Sequence, residues 1–414
     1  MMREYLRLTR KTNVVYGGWL PGSLLPLLLL LLFGLTGCTT GLFGGTVWEA
    51  GSLQNQHLQV ITADPNNLHA VYAGDARDGV FASPDTGVSW KRSDVGLPHP
   101  VAVDALAFDI PGKKLFAGTS AGLFISSDSA SHWSQATHTP ADTYTSLAFD
   151  VNSPQVVYAA TAHSGALEST DDGATWQSIN HGLPTGALTS ILYDPNLKQL
   201  WAAFDDALYR SDDHGASWHP MSNGLPANVG INVLSLGSQA SNNGSLIFAG
   251  TNHGFFRSTD AGQHWAQSQY KLTNLHIQDV LPDATQTNTV YASTNIGVLK
   301  STDNGQNWSE AASGLPSGQP FGGLAQAGDN YSQLFVASHG IYLYPGSQSF
   351  VDPSRLFPIL LILIFFILLL YFGVIRRRRA ALLHFPANTN GAKGQGTPPT
   401  RHAREKSPGS GSDE

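Results

Sequence analysis

The sequence predicts an all-β fold, a seven-bladed β-propeller closed by an N-terminal outer strand, followed by one C-terminal transmembrane helix. Three observations carry this expectation. An octapeptide, Ser-x-Asp-x-Gly-x-x-Trp, occurs six times and ends at Trp90, Trp133, Trp176, Trp218, Trp265 and Trp308, spacings of 43, 43, 42, 47 and 43 residues. A period of this length marks an array of small β-sheets. Seven pairs of short apolar strand signals keep step with it. Finally, residues 357–375 form an uncharged apolar run of 19 residues, enough for one membrane span.

The octapeptide is hairpin chemistry. Glycine accepts positive φ, and the aspartate side chain bonds nearby backbone N–H groups. Asp85, Asp128, Asp171, Asp213, Asp260 and Asp303 therefore read as turn staples, with the tryptophans filling the space beneath. A catalytic residue is not needed six times at equivalent places. The second copy has Ala130 where glycine is expected, which weakens that turn without breaking the period. These residues resemble the Asp-box (BNR) hairpin of β-propeller blades, and the resemblance covers roughly residues 46–350. As a single ring, the chain is similar to photosystem II stability/assembly-factor-like proteins and to sortilin-like exo-propellers. That likeness implies a binding or assembly platform.

Taken in order, the chain opens with Arg3, Arg7, Arg10 and Lys11, then an apolar run from Leu24 to Leu35 broken by Pro26 and Gly34. This is signal-peptide anatomy. It ends in Leu35-Thr36-Gly37-Cys38, which resembles a bacterial lipobox and would make the only cysteine a lipidation site. Residues 1–38 are the expected signal peptide, 39–45 a linker and 46–350 the propeller. Thr46 to Ala50 looks like the outer strand that follows each octapeptide, without a blade of its own before it. Innermost-strand signals follow at 58–62, 103–108, 145–149, 189–193, 233–236, 277–281 and 321–324. Second strands follow these, each placing alanine beside a bulky residue, as in Val71-Tyr72-Ala73. The last blade has lost its octapeptide and carries no tryptophan there, so strand 46–50 should complete it and remove the open edges. Gly-Leu-Pro segments at 96, 182, 224 and 314 start blade-to-blade connections and read as structural turns.

After residues 357–375 comes Arg376-Arg377-Arg378-Arg379, which by the positive-inside rule places the C-terminus in the cytoplasm and the ring outside. Residues 376–414 are expected to be a basic, disordered tail. The expectation is thus a bacterial cell-membrane protein with an extracytoplasmic propeller, tethered by a helix and by a lipid on Cys38. Residues 39–356 carry 26 acidic and 11 basic side chains, a net of −15. So acidic a ring is no nucleic-acid binder. It also lacks the basic arginine patch of the photosynthetic factors, so their partner is not carried over.

No catalytic set stands out. Arg77, Arg92, Arg210 and Arg257 are the arginines of the ring, and Glu49, Glu168 and Glu310 its glutamates. A sialidase needs an arginine triad and a tyrosine–glutamate nucleophile, and the xyloglucan-hydrolysing propellers come in tandem pairs. No metal spacing exists among the histidines, and no cofactor motif is present. What remains is the turn between second and third strands, which carries Asp75, Asp78, His163, Asp205, Asp206, His253 and His339. This rim is the expected binding surface for a protein or glycan. The reading is a non-catalytic platform; the alternative is a glycoside hydrolase with a carboxylate pair.

Overall fold

The computed structural model describes residues 47–109, 111–241, 244–269 and 275–345. Among these, the strands form seven four-stranded antiparallel sheets. Blade 1 is typical: Leu58–Asp64, Asn67–Asp75, Val80–Ser83 and Lys91–Arg92 pair in sequence order. Blades 2 to 6 repeat it, with innermost strands Val103–Phe108, Tyr144–Phe149, Leu188–Asp194, Ile231–Ser241 and Ile277–Pro282. Each innermost strand touches those of the blades before and after it, and the seventh touches the first. The ring is closed.

Packing follows from the second strands. The seven alanines Ala73, Ala117, Ala159, Ala202, Ala249, Ala292 and Ala337 are all fully buried. Each leaves just enough room for a bulky side chain of the adjacent blade, so the apolar cores lie between blades rather than within them.

Blade 7 joins the two ends of the propeller. Leu324–Ala327, Gln333–Ala337 and Gly340–Pro345 come from the C-terminal side, and Glu49–Gln54 pairs with Gly340–Pro345 as the outer strand. The closing strand therefore runs later than 46–50 and is bulged between Ala50 and Gln54. The innermost strand begins at Leu324 rather than Phe321, because Gly322 and Gly323 lie flat against blade 1. A Cβ on Gly322 would stand 2.5 Å from the Gln59 carbonyl oxygen, and one on Gly323 2.8 Å from the Ile61 nitrogen.

The six octapeptides form one hairpin. In each, the serine Oγ–H donates to the aspartate Oδ1 at 2.7–2.9 Å. The serine Oγ also accepts the N–H at the glycine position at 2.7–2.9 Å. Ala130 takes the glycine place at φ 64, close to the φ 74 of Gly262, and keeps the same bond to Ser126. The departure read in the sequence strains the second hairpin and leaves its geometry unchanged.

The tryptophans fall into two classes. Trp133, Trp218 and Trp265 are 4% exposed, and each indole N–H reaches back to the preceding blade, to the carbonyls of Ser93, Ile179 and Met221 at 2.9, 2.7 and 3.1 Å. Trp48 is 2% exposed and does the same with Ala311. Trp90, Trp176 and Trp308 are only half-buried. The first two bond within their own hairpins, to Gly87 and Gly173; the indole N–H of Trp308 has no partner among the described residues.

The Gly-Leu-Pro segments separate the classes. They form β-turns closed by Leu97 N–H to Asp94, Leu183 to Asn180, Leu225 to Ser222 and Leu315 to Ala312. Glycine at the third place has φ of 91 to 101, which such turns require. Each turn presses on the next blade's tryptophan: a Cβ on Gly96, Gly182, Gly224 or Gly314 would lie 2.1, 2.9, 2.2 or 2.3 Å from the carbonyl oxygen of Trp133, Trp218, Trp265 or Trp48. Trp48 is therefore the tryptophan of blade 7, supplied from the other end of the ring. The expectation that this blade lacks one is corrected.

The membrane part of the expected fold is corrected too. Among the described residues no helix is long and apolar enough to cross a membrane. The segment 357–375 and Cys38 lie outside the described residues. The fold is the propeller with its closing strand. The transmembrane helix, the lipid anchor and the membrane localisation are withdrawn from it, and with them the tether in the expected function.

Candidate functional site

Antiparallel pairing puts the starts of the innermost strands and the turns between second and third strands on one face of the ring. The octapeptide hairpins and the first-to-second turns lie on the other. On the hairpin face the octapeptide carboxylates are occupied. Asp85, Asp128, Asp171, Asp213, Asp260 and Asp303 each accept the backbone N–H four residues on, through Oδ1 at 2.8–3.0 Å. Hydrogen bonds led by those from His132, Thr175 and Ser217 hold the Asp128, Asp171 and Asp213 carboxyls at about 2. These groups are engaged within their own hairpins.

On the other face a cavity of about 590 Å³ opens along the ring axis. Its wall is made by one local irregularity repeated six times. In blades 1 to 6 a bulge shifts the register between the first and third residues of the innermost strand. The extra residue no longer pairs and is re-aimed. These residues are Gln59, Asp104, Thr145, Thr189, Asn232 and Gln278, and all six line the cavity.

Several of them tie neighbouring blades together. Thr145 Oγ1–H donates to the Leu188 carbonyl at 2.6 Å, Thr189 Oγ1–H to that of Ile231 at 2.6 Å, and Asn232 Nδ2–H to that of Ile277 at 2.7 Å. The next residue along makes a second tier. Ser146 and Ser190 accept the N–H groups of Ile191 and Leu234 at 3.2 Å. Asp279 accepts from Val280 and Leu324 at 2.8 and 2.7 Å, one bond to each oxygen.

Two carboxylates line this cavity, Asp104 and Asp279, and no lysine or arginine does. Burial pushes the carboxyls of both above the usual range; for Asp279 the two backbone N–H donors act in the opposite sense. With both oxygens held by backbone, Asp279 is a strut rather than a nucleophile or a proton donor. The carboxylate pair a glycosidase needs is not formed by these two. Among the described residues no group of three His, Cys, Asp or Glu side chains converges as on a metal ion.

The expected rim is divided by the structure. His339 alone lines the cavity, its ring edge-on to that of His57 at 4.8 Å. Asp75 is buried and spent on the N–H groups of His57, Arg77 and Asp78 at 2.6–2.8 Å. Asp78 stands 3.9 Å from Arg92. His163 is exposed but fixed to the buried Asp142, Nδ1 to Oδ1 at 2.8 Å. Burial opposes the charge of Asp142, yet the bonds from His163, Ser164 and Thr143 outweigh it and hold the carboxyl at about 2. His253 bonds to Asn252 at 2.5 Å. Asp205 and Asp206 are exposed at the tip of their turn.

Reasoning from sequence overlooked the bulge residues. A signal was there: the place after the first residue of each innermost strand is polar in all of blades 1 to 6, and in blades 3, 4 and 6 the next residue is polar as well.

Comparison with known proteins bears on the fold. Two YCF48 structures share it, one bound to a D1 peptide and one from Cyanidioschyzon merolae. They have TM-scores of 0.57 and 0.55 and are 16% identical; the matches cover 73% and 72% of this chain and 96% and 98% of theirs. The GH74 xyloglucanase of Xanthomonas campestris matches with a TM-score of 0.57 at 16% identity, over 74% of this chain and 55% of its own. No curated protein matches the sequence. The family model of the DUF6242 β-propeller domain matches residues 115–352. That match covers more than half of the sequence, and the chain belongs to the DUF6242 β-propeller domain family.

Proposed function

We propose that this propeller, residues 46–350, is a non-enzymatic platform that binds a protein on the face where the axial cavity opens. The observation that carries the reading is the contrast in carboxylate use. Every octapeptide aspartate is consumed by its own hairpin, whereas the cavity face presents Asp205, Asp206, His253 and His339 to solvent. The hairpins themselves we read as Asp-box (BNR) repeats, on the strength of their shared serine–aspartate–glycine bonding. A non-enzymatic role is supported by the fuller likeness to the YCF48 rings, which are covered almost whole, than to the xyloglucanase. One of those rings has a peptide bound. Here the peptide would have to suit an acidic face.

Partner capture by cross-linking tests this. Asp205→Lys with Asp206→Lys should reduce capture strongly, while Asn196→Lys, on an exposed first-to-second turn of the other face, should not. Asp64 and Asp194 are unsuitable controls on that face, since both are buried and cap their own turns. Equal losses from both faces would sink the assignment.

A further inference from the structure

We propose that the axial cavity is a binding site for a primary ammonium group, seated between the Asp104 carboxylate and the Tyr144 carbonyl. The argument is one of matching donors to acceptors around the ring. At three successive blade junctions the bulge residue is a donor, and it bonds the first carbonyl of the next innermost strand: Thr145 to Leu188, Thr189 to Ile231, Asn232 to Ile277. At the junction of blades 2 and 3 the corresponding places are held by Asp104, the bulge residue, and Tyr144, the first residue of the next innermost strand.

An ionised aspartate has no proton to give. At this junction alone a carboxylate and a carbonyl, both acceptors, stand where the other three have a donor and an acceptor. Asp104 has no hydrogen-bond partner among the described residues, yet it lines the cavity and its burial disfavours the charge. A guest that brings two or more N–H donors and a positive charge satisfies both oxygens together.

An alkylammonium does so with least bulk, since it carries three donors and no acceptor. The rest of the wall suits its chain. Val60 and Val233 offer apolar surface, and the volume of about 590 Å³ admits an unbranched chain of several carbons. No lysine or arginine in the wall competes for Asp104.

Calorimetric titration of the full chain with n-pentylammonium tests this, with Nα-acetyl-lysine methylamide as the second probe. Binding should weaken about tenfold or more in Asp104→Asn, the loss of a hydrogen bond to a charged group. It should weaken similarly when n-pentyltrimethylammonium, which has the charge without the N–H groups, replaces the amine. Asp104→Asn should fold normally, because Asn232 occupies the same place one half-ring on. Asp104→Ser, which puts a hydroxyl where Thr145 has one in the next blade, repeats the test with a smaller side chain. Asp329→Asn, on an exposed first-to-second turn of the other face, changes the net charge equally and should leave the affinity unaltered. With those dependences, the tighter of the two probes tells whether a free amine or a lysine side chain is the better guest. Wild-type protein that binds neither amine overturns the proposal. So does equal binding by Asp104→Asn, or equal binding of the trimethylated probe, which would mark plain attraction to an acidic ring. The Asp205→Lys and Asp206→Lys pair probes the docking face separately, so either reading can fail alone.

Discussion

The seven junctions of this ring are built in two ways. Into blades 2, 4, 5 and 7 the chain arrives by a Gly-Leu-Pro turn, and in blade 7 the tryptophan that meets it, Trp48, comes from the other end of the ring. The tryptophan there is almost fully buried and bonded to the blade before. Into blades 1, 3 and 6 no such turn leads, and Trp90, Trp176 and Trp308 stay half-buried. The same octapeptide thus gives two different tryptophans. The preceding turn separates them: its glycine abuts the tryptophan carbonyl at all four seams, and at three of them its second residue, Val95, Asn223 or Ser313, accepts the backbone N–H of Trp133, Trp265 or Trp48 at 2.8–2.9 Å. The hairpin makes a blade, and the turn before it makes the seam.

The largest effect should come from the tryptophans themselves. Trp48→Ala and Trp133→Ala should each cost about 3–5 kcal/mol of unfolding free energy. Trp308→Ala should cost distinctly less, since its ring is only partly buried and its N–H has no partner to lose. Denaturant unfolding that ranks Trp308 above Trp48 would break the distinction, and with it the role of Trp48 in closing blade 7.

Next come the seam glycines. Gly224→Ala meets the Trp265 carbonyl at 2.2 Å and a φ of 92. A loss of about 2–4 kcal/mol is expected from backbone strain and overpacking together. Gly318→Ala is the comparison: its φ is 79 but nothing lies within 4 Å of the added carbon, so only the strain of about 1 kcal/mol applies. Equal losses at the two positions would remove the close approach from the account.

The hairpins add a pH dependence that the seams lack. Asp128, Asp171 and Asp213 sit at about 2 in the folded chain, against about 3.9 when unfolded. The folded state therefore binds fewer protons in this window. The stabilisation is whole above about pH 4 and is lost as the pH falls through 2. Melting temperature should decline over that range, and the triple variant Asp128→Asn, Asp171→Asn, Asp213→Asn should show a shallower decline. An unchanged slope would mean the carboxylates are not what the acid attacks.

The smallest effect should be Ala130→Gly. Relief of left-handed strain, about 1 kcal/mol, is set against loss of a fully buried methyl, about 0.8 kcal/mol. Unfolding should shift by less than about 0.5 kcal/mol once these offset. A gain well beyond that would show the methyl contributes nothing to the core between blades 1 and 2.

The sequence by itself determined what is local. The repeat, the hairpin bonding and the buried alanine of each second strand are settled by residues within a few places of one another. The closed ring followed from counting strand signals, because the segment before Leu58 looked like an outer strand lacking a blade. Tertiary structure decided whatever depends on a neighbour some forty residues away or more. Trp48 became the seventh tryptophan only when the chain ends met, although it stands in the segment that resembled an outer strand. The rim read from turn residues kept Asp205 and Asp206 free but spent Asp75 on its own turn. The side chains that face the axis do so because a bulge turns one residue per innermost strand out of its ladder. A bulge is a property of two paired strands and leaves no mark in one of them beyond a polar residue near the start of the strand. That Asp104 lacks a donor where Thr145, Thr189 and Asn232 supply one is visible only once the blades stand side by side.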